Sequence, residues 1–167
     1  MHDIFDPVLE SVAKQRGIAL LPAKRITKPV HTQAFTMAAS TDRALFNAGV
    51  SMLYNLELLD KRSDHVHHRN SGLDSTTAKL CSKHGVLVGI NLANLRTLDP
   101  VIIGRVMQNI QLCRQHKAKM AVFSDAKTAD ELPNPRDVHG LLLVLGMSTQ
   151  QAKETLTSLE HAAKQRK

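Results

Sequence analysis

Apolar and polar positions along the chain fall into short blocks that end in the same way several times over. Val8, Leu9, Val12 and Ala13 recur at helical spacing behind Asp6-Pro7, and Gly17 follows them. Asp-Pro supplies an N-cap with proline at the first helical position, and the glycine suits a helix stop. Ile18 to Leu21 is then a short apolar run that predicts a buried strand. Ala34 to Ala38 is a second strand candidate. Thr41 or Asp42 caps a short helix through Ala44, Leu45 and Ala48, which stops at Gly49. Val50 to Leu56 follows as a third strand, Leu73 to His84 as a helix closed by Gly85, and Val86 to Asn91 as a fourth strand. Gly17-Ile18, Gly49-Val50 and Gly85-Val86 thus repeat one junction of helix end, glycine and buried strand, which is the joint of consecutive βα units. Apolar runs without alternation predict strands covered on both faces, as in a parallel sheet.

The second half continues the pattern with longer helices. Asp99 and Pro100 open a helix whose apolar face is Ile103, Val106, Met107, Ile110 and Cys113. Its polar face is Arg105, Gln108, Asn109, Gln111, Arg114 and Gln115. Met120 to Ser124 is a fifth strand. Asn134-Pro135 starts a helix over Val138, Leu141, Leu142 and Leu145, stopped by Gly146. Ser148 and Gln151 form a capping-box pattern ahead of a last helix that buries Ala152, Leu156, Leu159 and Ala163. Residues 164 to 167 are expected to fray as a disordered basic tail. Right-handed winding of such units gives a barrel or an open doubly wound sheet. No glycine-rich phosphate loop is present, which lowers the case for an open nucleotide-binding sheet. No linker divides residues 1 to 167, so one α/β domain is expected.

Composition narrows the partners more than the fold. The 167 residues carry 22 Lys and Arg against 15 Asp and Glu, a formal net charge of +7. A surplus of this kind favours a polyanionic partner and salt-dependent association. Aromatic residues are 3% of the chain, so phosphate contacts rather than base stacking should dominate nucleic-acid binding. The two cysteines, Cys81 and Cys113, sit at apolar helix positions and are expected to be core thiols. No apolar run approaches a membrane span and no secretory leader is visible, so no membrane partner and a cytoplasmic location are expected.

The stretch from Met120 to Leu156 carries a family pattern. It runs Met-Ala-Val-Phe-Ser124-Asp125-Ala126, then Glu131-Leu-Pro-Asn-Pro135-Arg136-Asp137, then Leu145-Gly146-Met147 and Gln151-Ala152-Lys153. Thr41-Asp42-Arg43, Ser71-Gly72-Leu73-Asp74 and Ala78-Lys79-Leu80 add to it. Over about residues 34 to 160 the chain resembles the protein component 3 family of archaeal and eukaryotic ribonuclease P. The resemblance implies a TIM-type (β/α) barrel of the polymerase-and-histidinol-phosphatase class. With five to six strands in this chain, that barrel would be incomplete at its N-terminal end, and the chain alone is expected to be dimeric, partner-bound or poorly soluble. The implied role is a protein subunit of ribonuclease P, helping a catalytic RNA to remove the 5′ leader of precursor tRNA. The implied partners are the ribonuclease P RNA, precursor tRNA, protein component 2 and other protein subunits. Mg²⁺ would serve the RNA, and this chain would hold no cofactor and no catalytic group. Leu132 and Pro133 stand where the family often has arginine, so no RNA contact is expected at them.

Candidate binding residues follow. Residues 61 to 70, Lys-Arg-Ser-Asp-His-Val-His-His-Arg-Asn, form a basic loop after the third strand, at the end of a barrel where functional loops gather. Lys61, Arg62 and Arg69 are its phosphate-contact candidates, against the alternative of a merely solvated loop. Arg43 and Arg136 join them, Arg136 beside the free N–H groups of a helix start, with an ion pair to Asp137 or Asp125 as its alternative. Arg96, Arg105 and Arg114 read as a solvated helix surface. A rival reading is a metal-dependent phosphoesterase using His65, His67, His68 and Asp125, with Glu57 and His139 as further ligands if the fold gathers them. Asp125 reads equally well as a brace for its own loop.

Overall fold

Backbone hydrogen bonds, more than strand length, make this fold. The structure is a computed structural model that describes residues 1–4, 6–65 and 68–165, the side chains of Ala163 and Gln165 aside. Among the described residues, seven short strands are parallel throughout: β1 (His2–Asp3), β2 (Ala19–Leu20), β3 (Lys24–Arg25), β4 (Thr36–Ala38), β5 (Met52–Leu53), β6 (Leu87–Asn91) and β7 (Met120–Phe123). One sheet has the order β3-β4-β5-β6-β7, and β1 pairs with β2 apart from it. The two are stitched on both sides. Only Leu21 to Ala23 separate β2 from β3, so one kinked segment serves both pairings. Beyond β7, Asp125 N–H donates to the Ile4 carbonyl at 2.9 Å and Asp6 N–H to the Ala126 carbonyl at 3.0 Å. Hydrogen bonding therefore runs round a closed circuit of six strand positions. The architecture is an α/β, TIM-type barrel short of the usual eight strands. The open edge that an incomplete barrel leads one to expect is bridged by β1 and β2.

Each strand splits its side chains between two cores. Ile4, Leu21, Met37, Met52, Leu87, Ala121 and Phe123 point inward and form the barrel filling. Gly89 lies among them because a Cβ there would come within 2.9 Å of the Met52 sulfur and 3.1 Å of the Phe123 ring. Ala38, Leu53, Val88, Ile90 and Val122 point outward under the helices. The helices are α1 (Glu10–Gln15), α2 (Ala44–Asn47), α3 (Ser75–His84), α4 (Leu92–Leu95), α5 (Pro100–His116), α6 (Pro135–Val144) and α7 (Thr149–Gln165). Leu159 of α7 is buried with the inward set, while Ala152 belongs to the outer core, so α7 passes from the helical layer across to the barrel filling. Cys81 and Cys113 are fully buried free thiols, as expected, and burial pushes the Cys81 thiol up to about 12.

The expected caps form as hydrogen bonds. Asp6 accepts from Val8 N–H, Asp42 from Ala44 N–H, Asp99 from Val101 N–H and Asn134 from Arg136 N–H. Ser148 and Gln151 bond reciprocally as a capping box. Several expectations are corrected. Val8 is exposed, because the segment begins as a tight 3-10 turn over Pro7–Leu9 and the helix proper starts only at Glu10. Met107 and Leu141 are partly exposed rather than core. Arg105 and Asn109 are buried on the face of α5 expected to meet solvent. The expected basic tail is helical through Gln165, with Lys164 bonded to Glu160 one turn back at 2.7 Å. Arg166 and Lys167 lie outside the described residues.

Candidate nucleic-acid interface

The loop after β5 is ordered by one buried arginine. Arg105, on the second turn of α5, has a side chain only 8% exposed. Its Nε donates to the Asp64 carboxylate at 2.9 Å, its Nη1 to the carbonyls of Glu57 and Asp60 at 3.1 and 2.5 Å, and its Nη2 to the Arg62 carbonyl at 2.7 Å. The guanidinium thus satisfies acceptors from three loop residues and pairs with a carboxylate at once. Its planar fork is suited to this and a lysine is not. The expectation of a solvated Arg105 fails because its partners are mostly backbone carbonyls, which leave no mark on side-chain spacing.

The rest of the loop is clamped beside it. Gln108 accepts from Arg69 N–H at 2.8 Å and donates to the Arg69 carbonyl at 2.7 Å, so its amide pairs like a strand neighbour. Asn109 donates to the Ser71 carbonyl at 3.0 Å. A Cβ at Gly104 would come within 2.5 Å of Arg69 Cζ, so glycine is what lets that guanidinium lie on α5. Gly72 closes the loop with φ +74°, and a Cβ there would sit 1.9 Å from the Leu56 carbonyl oxygen.

The loop cations are not all free. Arg62 grips Asp60 at 2.5 Å, and that pairing holds the Asp60 carboxyl at about 2. Arg69 lies 3.5 Å from Asp64, whose carboxyl is held below its ordinary range first by Arg105. Lys61 is exposed with no ion pair among the described residues. Arg43 is exposed ahead of α2, with Asp74 in its electrostatic reach. Arg136 is exposed in the first turn of α6 and pairs with neither Asp137 nor Asp125 among the described residues. Lys61, Arg62 and Arg69 share the clamped loop, whereas Arg43 and Arg136 stand on other elements.

A second polar group closes the C-terminal end of the sheet. Asn55, in a left-handed conformation, accepts from Asn91 and Asn94, each at 3.0 Å. Asn94 also donates to buried Glu57 at 2.7 Å, whose carboxyl is pushed above its ordinary range by burial. Arg96 donates to the Ser124 carbonyl at 2.8 Å and lies 3.4 Å from Glu131, so it is a brace at the end of β7 and not a solvated helix group. Asp125 pairs with Arg25 and Lys127, which is the bracing role. Arg25, on a strand that polar sequence concealed, also lies over the Tyr54 ring.

Among the described residues the histidines complete no metal site. His65 and His68 exchange backbone hydrogen bonds at 2.8 and 3.3 Å. His67 lies outside the described residues. Asp125 is held by its own cations, and Glu57 by Asn94. Among the described residues no three His, Cys, Asp or Glu side chains converge as metal ligands. The phosphoesterase reading is not favoured.

Comparison with known proteins gives the family. The family model for RNase P subunit p30 matches residues 26–167. The chain belongs to the RNase P subunit p30 family. It is 25% identical over 166 residues to ribonuclease P protein component 3 of Methanosarcina acetivorans, covering 92% of this chain and 66% of that protein. The chain therefore spans just under two-thirds of the length of that relative. Its fold is similar to that of a chain in the cryo-EM structure of archaeal ribonuclease P with mature tRNA, with a TM-score of 0.69, 16% identity, and coverage of 99% of this chain and 80% of that one. An amidohydrolase structure is similar at a TM-score of 0.54 and 14% identity, covering 80% of this chain and 33% of its own. The barrel is thus shared with hydrolases, while the family membership rests on sequence. No helix among the described residues is long and apolar enough to cross a membrane.

Proposed function

We propose that this chain is a protein subunit of ribonuclease P. It assists the catalytic RNA in removing the 5′ leader of precursor tRNA, through phosphate contacts and by pairing with a further protein subunit, protein component 2. The observation that carries this reading is the family match over residues 26–167, which takes in β4 to β7 and every helix from α2 onward. The net charge of +7 supports an RNA partner. The clamped loop is a preorganised platform for Lys61, Arg62 and Arg69, because Arg105 and Gln108 hold its backbone before any partner arrives. Arg43 and Arg136 are further phosphate contacts in this reading. The chain supplies no catalytic group, Mg²⁺ serves the RNA, and the assembly works in the cytoplasm.

The test is cleavage of precursor tRNA by the cognate catalytic RNA at low Mg²⁺, with and without this chain and its small protein partner. Stimulated release of the 5′ leader is the expected outcome. Equal cleavage in both mixtures, with the partner otherwise competent, overturns the proposal.

A further inference from the structure

The N-terminal end of the sheet holds a cleft that the reading above does not use. It has a volume of about 970 Å³ and lies between α7 and the starts of β5, β6 and β7. Its floor is apolar, built from Phe35, Val50, Leu87 and Met120. Its rim carries His84, Arg114, Lys117, Lys119 and His161, with Glu154 as the single carboxylate.

These cations sort by what they already do. Helix C-termini carry partial negative charge and favour nearby cations, so basic residues in the last turns of α3 and α5 have a structural use. His84 and Arg114 fall in that class, and Arg114 also donates to the Gly146 carbonyl at the end of α6. Lys117 and Lys119 lie past the helix. Lys117 is the left-handed cap of α5 and Lys119 directly precedes β7, its carbonyl accepting from Val88 N–H. Both side chains are exposed and neither makes an ion pair among the described residues. Across the cleft, Thr157, Ser158 and His161 of α7 face them. Glu154, the opposing charge, is engaged by Gln150 at 2.6 Å.

We infer that this cleft binds an RNA strand, with its phosphates on Lys117 and Lys119. The inference rests on the ribonuclease P reading for the identity of the RNA, but it places a contact at the opposite end of the barrel from the loop of residues 61–70. Two lysines unmatched by carboxylate can neutralise phosphates and so release the counterions condensed on the RNA, and the concavity confines the strand between α7 and the sheet. A cleft of this volume is within the usual range for a bound small molecule, so a nucleotide-sized segment fits.

The test is a salt titration of binding to the cognate ribonuclease P RNA by the full chain, comparing wild type, Lys117→Ala/Lys119→Ala and Lys14→Ala/Lys79→Ala. The last pair removes the same charge from exposed positions on α1 and α3 outside the cleft. Neither pair removes a buried group, and thermal melts check that both variants fold. The cleft variant is expected to bind at least ~10-fold more weakly, with a log–log salt slope reduced by about 0.7–0.9 per lysine. The control variant is expected to stay within ~2-fold of wild type, in line with a loss of net charge alone. Equal losses in both variants, or a weakened cleft variant with an unchanged slope, overturn the inference and leave the subunit reading intact. Absence of RNA binding by the wild type overturns both.

Discussion

At the C-terminal end of the sheet Arg25 and Lys127 face Asp125, Arg96 faces Glu131, Arg62 faces Asp60, and Arg69 and Arg105 share Asp64. At the N-terminal end Lys117 and Lys119 face no carboxylate in any ion pair among the described residues, and the one acidic group on the cleft rim is held by Gln150. The two ends therefore use their cations differently. Six of the seven ion pairs among the described residues lie on the C-terminal side or its loops, where positive charge organises the protein. On the other side it is left for a partner. A net charge of +7 says that a polyanion is welcome, but not where it lands. Location depends on which cations already have a partner, and that is a property of the fold.

The sharpest way to break this comparison is Arg105→Ala. The substitution leaves Asp64 without its main cation and strips the carbonyls of Glu57, Asp60 and Arg62 of their donor. Breaking a buried pair by removing one partner costs about 3 kcal/mol or more. Urea unfolding is expected to show a loss of that order, and limited proteolysis to show faster cutting after Lys61 and Arg62. A loss under about 1 kcal/mol with unchanged proteolysis means that the loop orders itself. Arg105 would then belong with the free cations, and the contrast between the ends would fade.

A smaller effect tests the seam that closes the barrel. Asp3 is buried between β1 and the end of β7, where Oδ1 accepts from Ile4 N–H at 2.7 Å and Ser124 N–H at 2.6 Å. Its Oδ2 is buried without a partner. Burial pushes the carboxyl above its ordinary range, and the hydrogen bonds from Ser124 only partly oppose this. A carboxyl raised in the folded state favours folding most below its unfolded value, and that contribution is lost as pH rises through the folded value. Asp3→Asn keeps the Oδ1 acceptor and removes the charge. Any cost of the unpartnered amide is the same at every pH. Relative to wild type, the variant is therefore expected to gain stability as pH rises above the unfolded carboxylate value of about 4, read as a rising difference in urea midpoint. A constant difference across that range removes Asp3 ionisation from the account of the seam. Glu57, raised by burial at the other side of the same end, shifts with the same sign in both proteins and cancels from the difference.

Much of this architecture was legible because it is written in local chemistry. Asp99-Pro100 and Asn134-Pro135 announce α5 and α6 through caps that need no tertiary partner. Gly49 and Gly85 mark helix ends by adopting positive φ. What escaped was written in long-range backbone bonding. β1 is two residues long and β3 is Lys-Arg, so neither carries a strand's apolar pattern, yet together they close the circuit. Arg105 and Arg96 escaped for the same reason, since most of their acceptors are carbonyls of distant residues. The basic loop was recognisable from composition, but the pairing of Arg62 with Asp60 within it was visible only as a spacing of two. Lys117 and Lys119 lacked any signal of their own, because a cleft between α7 and the strand starts exists only once α7 crosses the barrel.

The smallest effect in the comparison concerns the loop itself. Lys61→Ala/Arg62→Ala removes two exposed cations, one of them already neutralised by Asp60. Exposed pairs of this kind add little to stability, so the melting temperature is expected to be unchanged. The salt slope of RNA binding is expected to fall by about one counterion, against nearly two for the cleft lysines, because Arg62 must give up Asp60 to reach a phosphate. Slopes that fall equally in the two double variants mean that an ion pair on the surface is no barrier to phosphate contact. The contrast between the two ends would then be one of geometry alone, with the clamped loop and the open cleft contacting RNA as equals.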